Sequence, residues 1–137
     1  MARVEGIKSF GPLFIRLGLG PLFFAHGSQK LFGWFGGKGL EGFAGFFESI
    51  GLAPGKIFVA FAGGAEFLGG ILVLLGLWTR FGALLISGVM VTAIALVHWP
   101  KFIGEMEFPL ALLCMAISLL FTGPGAISLS GMVKGPR

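Results

Sequence analysis

The 137 residues are 55% hydrophobic and only 12% charged, with a mean hydropathy of +0.95, whereas soluble domains carry about 25% charged residues. That excludes an ordinary soluble fold and points to an all-α integral membrane protein. The net charge of +4 comes from Lys and Arg scattered singly, so no nucleic-acid surface is expected, and the one cysteine, Cys114, excludes a disulfide framework or a CxxC pair within the chain.

Four stretches have close to the roughly 20 apolar residues that cross a bilayer as a helix. The first is predicted over 10–26; it carries Arg16 and runs into HGSQK rather than a small-residue cleavage site, so it reads as a retained span and not a signal peptide. The Gly- and Phe-rich stretch that follows repeats Leu40, Phe43, Phe46, Phe47 and Ile50 at helical spacing, opposite Glu41 and Glu48. That pattern predicts an amphipathic helix over about 39–50, lying at the membrane interface. Span two is predicted over 57–77. The tight GLWTR connection leads to span three over 81–99. Span four covers 108–121, with Pro109 suited to its first turn and GPGAISLSG ending it. Trp34, Trp78 and Trp99 fall at span ends, as an aromatic belt places them. The expected architecture is one four-helix membrane domain over 1–137.

Arg3, Lys8, Arg80, Lys134 and Arg137 collect on the side of the termini, against Lys30, Lys38, Lys56 and Lys101 on the other. This slight bias puts both termini in the cytoplasm. The four lysines read as snorkelling or solvated groups.

Glu66 lies in the apolar run IFVAFAGGAEFLGGILVLLGLW. An ionisable group at that depth costs on the order of 2.5–3.5 kcal/mol on insertion scales, so it is expected to be paired or used. Ala62, Gly63, Glu66, Gly69, Gly70 and Val73 share one helical face, and small residues there let another helix approach, so Glu66 should point into the bundle. Arg16 is one expected partner, as a structural ion pair. The other is a cluster: antiparallel connections bring His26, His98 and Glu107 to one membrane face, with Gln29 and Lys30 beyond His26. On span four, Glu107, Ala111, Cys114 and Ser118 line up, with Cys114 read as a small buried hydrophobe.

Such a cluster suits a proton path, a metal site or a quinone head-group pocket. His26, His98 and Glu107 are the metal candidates, but no ligand-spaced pair such as HxxxH supports haem or metal. The glycines of spans one and two, including Gly18, Gly20, Gly69 and Gly70, fit packing within one bundle or between copies of a homo-oligomer.

The strings RLGLGPLFFAHGSQKLFGWFGG, FAGGAEFLGGILVLLGLWTRFGALLI, and HWPKF followed by GEMEFPLALL and TGPGAISL resemble DoxX family membrane proteins over about residues 12 to 129. The family's characteristic polar positions correspond to Arg16, His26, Lys30, Glu66, Arg80, His98 and Glu107. The resemblance implies a four-helix protein of the bacterial cytoplasmic membrane, some relatives being subunits of thiosulfate:quinone oxidoreductase and others linked to thiol and oxidative-stress chemistry.

The expected function is therefore a small membrane oxidoreductase, or a membrane subunit beside a partner redox subunit, linked to the quinone pool. Glu66, His26, His98 and Glu107 would carry the chemistry, and Arg16, Lys30 and Arg80 would bind substrate or quinone; the substrate stays open. The alternative is a non-catalytic anchor or assembly partner of a redox enzyme. Proton-coupled transport ranks below both, because the chain has no Tyr and its three Trp sit at span ends, leaving no aromatic cage for a cation.

Overall fold

In a bilayer every backbone polar group must be satisfied internally, so long apolar runs fold as helices. The computed structural model describes residues 6–134, and no strand occurs among them. Its elements are α1 (Phe10–Leu31), α2 (Gly39–Ser49), α3 (Gly55–Leu75), α4 (Thr79–Ala93), α5 (Glu107–Thr122) and α6 (Leu129–Lys134). A π-helical turn, Ile94–His98, prolongs α4. Four helical segments are long and apolar enough to cross a membrane, which makes the chain a multi-pass helical membrane bundle. Arg3 and Arg137, used above to orient the chain, lie outside the described residues, as does the side chain of Lys134.

The antiparallel pair α1 and α3 is the tightest in the bundle. A Cβ on Gly27 would run into the Gly63 carbonyl oxygen at 2.7 Å, and one on Gly70 into the Gly20 carbonyl oxygen at 2.8 Å. These four glycines, spaced by seven in each helix, let the two backbones touch. Gly69 meets α4 instead, where a Cβ would stand 3.0 Å from the Gly82 oxygen, while Gly18 faces only Met115. Gly20, Gly69 and Gly70 thus serve packing inside the bundle.

Helix α3 is closed by Gly76 in the left-handed conformation (φ 68°) that commonly caps a helix, and α4 starts three residues later. Leu19, Phe23, Val73, Ile86 and Leu119 are fully buried where α1, α3, α4 and α5 meet. Phe14, Phe61 and Phe121 point outward, as lipid-facing positions do, and Trp34, Trp78 and Trp99 are exposed at helix ends.

Two expectations need correction. Helix α1 does not stop at residue 26; it carries HGSQK as helix to Leu31. Ser28, fully buried there, donates to the Phe24 carbonyl at 2.8 Å, and Gln29 donates to the Phe35 carbonyl at 3.1 Å. The line Glu107, Ala111, Cys114 and Ser118 is not an interior stripe, because α5 buries Pro109, Leu112, Ala116 and Leu119. Cys114 is accordingly exposed, not buried. Helix α2 is the short amphipathic helix expected between the first two spans, and its Phe43, Phe47 and Ile50 line a cavity in the bundle.

Candidate functional site

Side chains on a helix tilt toward its N-terminus. In an antiparallel pair, residues on facing positions therefore lean toward each other from opposite directions. Lys30 and Glu66 do this: Lys30 lies against Gly63, one turn before Glu66, and its ammonium donates to Glu66 Oε2 at 3.0 Å and Oε1 at 3.2 Å. Glu66 is only 2% exposed. The pair has a third member in α2, since Lys30 Nζ stands 5.4 Å from the centre of the Phe43 ring, within the range of a cation–π contact.

Glu66 thus pairs with Lys30 and not with Arg16. Arg16, also 2% exposed, sits 14 residues earlier on α1, about 21 Å along the helix. Its guanidinium donates to five carbonyls: Val73, Leu74, Pro124, Ala126 and Ile127, all at 2.9–3.1 Å. Two of these belong to the last turn of α3, where carbonyls run short of helical donors (Val73 O has only the Gly76 N–H, at 3.2 Å), and a cation there also meets the negative end of the helix dipole. Arg80 has a parallel position at the end of α5, donating to the Leu120 carbonyl at 3.0 Å. Both arginines are thus placed at the opposite end of the bundle from Lys30, holding helix ends together.

Lys30 and Glu66 line a cavity of about 930 Å³, a size that accepts a drug-sized or cofactor-sized ligand. His26 lies on the same side, with its ring edge-on to Phe23 at 6.0 Å between centroids. Helix α2 roofs the space, and Met90 and Leu112 of the core form its floor. Exposed Phe58 and Phe61 belong to its rim. Outside the spans, Lys56 at the start of α3 donates to Glu41 of the roof at 2.9 Å and holds that carboxyl below its ordinary range. Glu48 accepts from the Gly55 N–H at 3.1 Å.

The turn between α4 and α5 supplies the remaining polar groups. Helix α4 buries Thr79, Gly82, Ala83, Ile86, Ser87 and Met90, and a straight helix would carry that face on to Val97. The wider π-helical turn shifts the phase by one residue, so His98 comes inward and Val97 is exposed. His98 Nδ1 is buried without a hydrogen-bond partner, 3.9 Å from Glu105 Oε2. Glu107, expected in the cluster, is exposed and accepts the Gly104 N–H at 3.1 Å, shaping the turn before α5. No group of three His, Cys, Asp or Glu side chains suited to a metal occurs among the described residues; His26, His98 and Glu107 do not form one.

Of the expected cluster, then, the cavity brings together His26, Lys30, Glu66 and His98, while Arg16, Arg80 and Glu107 lie elsewhere. Glu105 replaces Glu107 on the lining.

Four membrane-crossing helices around a charged pair at the edge of an apolar cavity define a small multi-pass membrane protein with an internal ligand-sized site. The chain belongs to the DoxX family, whose model matches residues 11–99. It is 37% identical over 134 residues to the protein named "Putative oxidoreductase CatD" from Bacillus subtilis (strain 168), the match covering 95% of this chain and 94% of that one. No solved structure matches it significantly.

Proposed function

We propose that the protein is a small membrane oxidoreductase, or the membrane subunit of a redox complex, that binds a quinone in the cavity under α2. The reading rests on one arrangement: an aromatic-lined space of about 930 Å³ whose polar groups, His26, Lys30, Glu66 and His98, all donate, accept or exchange protons. The oxidoreductase in the similar B. subtilis protein's name and the family resemblance to quinone-linked enzymes support it. A quinone ring and short isoprenoid segment match the apolar walls, and the exposed Phe58 and Phe61 on the rim suit entry from the bilayer. In this reading Lys30 donates a hydrogen bond to a quinone oxygen, Glu66 holds Lys30 in place and relays protons, and electrons come from a substrate or partner subunit of its own class.

The protein would lie in a bacterial cytoplasmic membrane. With Lys30 inside the bundle, the cavity side keeps Lys38, Lys56 and Lys101 as flanking charges, three against the five at Arg3, Lys8, Arg80, Lys134 and Arg137. The termini then face the cytoplasm and the cavity the outer side.

The test is binding. Protein in nanodiscs should bind ubiquinone-1 or menadione with one site per chain, and bulky substitution of the roof, Phe47→Trp, should weaken it. Wild-type protein that binds neither compound, and shows no bound metal or haem by elemental and optical analysis, would overturn the reading.

A further inference from the structure

Two facts about the α4–α5 turn are unexplained by the Lys30–Glu66 pair. The phase-shifting π-helical turn brings His98 to the cavity, and buried His98 Nδ1 has no partner, although leaving a buried polar atom unpaired is costly. Its nearest carboxylate oxygen is Glu105 Oε2, at 3.9 Å, about 1 Å beyond a hydrogen bond. The other oxygen, Oε1, stands 3.9 Å from Lys101, so Oε2 is the one free for His98. Glu105 follows Gly104, whose φ of 84° makes the bend that aims this turn back at α4.

We propose that Glu105 is a positioning residue: it takes the Nδ1–H of His98, and so leaves the Nε2 lone pair facing the cavity as a hydrogen-bond acceptor. Lys30 and His98 then offer the cavity different groups. Lys30, which has only donors, can serve a carbonyl or oxyanion. Nε2 of His98 serves a hydroxyl. The subsite at His98 therefore recognises the hydroxyl of a reduced, quinol-type ring, and discriminates it from the oxidised ring, which has no proton to donate there. A ligand hydroxyl on Nε2 makes Nδ1 a better donor through the ring, which draws Glu105 across the last ångström. The ligand part of this proposal rests on the quinone reading above; the tautomer does not.

The chain has two histidines, so an imidazole ¹⁵N spectrum of the protein in nanodiscs contains two ring systems, His98 being assigned from His98→Gln. At a pH where both rings are neutral, His98 should carry its proton on Nδ1. In Glu105→Ala it should move toward the Nε2–H form, and Glu105→Asp should restore the wild-type pattern at least in part. A His98 proton on Nε2 in wild type, or a pattern unchanged in Glu105→Ala, overturns the proposal whether or not a quinone binds. Glu105 is 42% exposed on its side chain, so its substitution spares the fold.

The second measurement compares ubiquinol-1, kept reduced, with ubiquinone-1. Glu105→Ala should weaken the quinol about tenfold, the effect of one lost hydrogen bond, and the quinone by much less. Equal weakening of both removes the hydroxyl subsite while leaving the tautomer result to stand. If wild type binds neither compound, the quinone reading falls and the hydroxyl subsite with it, and the spectrum alone decides the role of Glu105.

Discussion

Lys30 and Glu66 meet because their helices run in opposite directions: each side chain leans toward its own N-terminus, and that brings ammonium and carboxylate together at 3.0 Å. Removing one member of such a buried pair strands the other, which typically costs about 3–5 kcal/mol. Lys30→Met and Glu66→Leu should each lower stability in detergent by that order, while the double variant should lose less than either. Thermal unfolding of the four proteins gives the cycle.

Glu66→Gln separates chemistry from packing. The amide keeps a polar group for Lys30 but cannot relay a proton. If Glu66 serves redox chemistry, this variant stays folded and loses turnover with any electron donor that supports the wild type. If the protein is an anchor and the pair only fixes the helices, the loss appears as lower expression or melting temperature instead.

Arg16→Lys should be far from conservative. Lys has three donors where the guanidinium has five in a planar fork, and Arg16 satisfies five carbonyls. At least two lose their side-chain donor, and since Val73 O keeps the Gly76 N–H, at least one is left bare, a loss of about 1–3 kcal/mol. Hydrogen exchange should report it as faster exchange in 124–128, the segment the arginine ties to α3, with little change around the cavity.

The contact of α1 with α3 predicts a contrast between glycines. Gly70→Ala would place a methyl against the backbone of Gly20 and Phe24, and Gly27→Ala one against Gly63 and Phe67. Each should destabilise by about 1–3 kcal/mol as the helices are forced apart. A Cβ at Gly64 or Gly88 meets nothing within 4 Å, so alanine there should be neutral or slightly stabilising. Melting temperatures of the four variants would check this.

Orientation can be read with an impermeant thiol reagent on intact cells. In a Cys114→Ala background, Lys101→Cys on the cavity side should label from outside, and Lys8→Cys only after the membrane is opened.

The sequence makes the helices legible because bilayer length and hydropathy act on each span separately. It also reveals the inward face of α3, since Gly63, Glu66, Gly69 and Gly70 are all buried. The partner of Glu66 was harder to see. HGSQK looks like loop by polarity, yet it is helix, and only then does Lys30 stand one turn beyond His26 on the face toward α3. In the sequence Arg16 is the natural counter-charge, because backbone carbonyls carry no mark there. Glu105 was hidden for another reason: it depends on a one-residue phase shift in α4 and a glycine bend, and regular periodicity predicts neither. The adjacency of Glu105 to a Gly in the segment between His98 and Pro109 is the only trace of it.

Arg16 is synthesised about 110 residues before Ala126 and Ile127. At about 5–20 residues per second of translation, the Val73 and Leu74 carbonyls follow Arg16 by about 3–12 s and those of Pro124, Ala126 and Ile127 by about 5–20 s. A chain that stops after α4 therefore has two of the five carbonyls around Arg16, and only residues 124–127 supply the other three. The clamp thus closes in two stages, the α3 carbonyls first and those after α5 later, so a segment made after all four spans is what ties the first one shut.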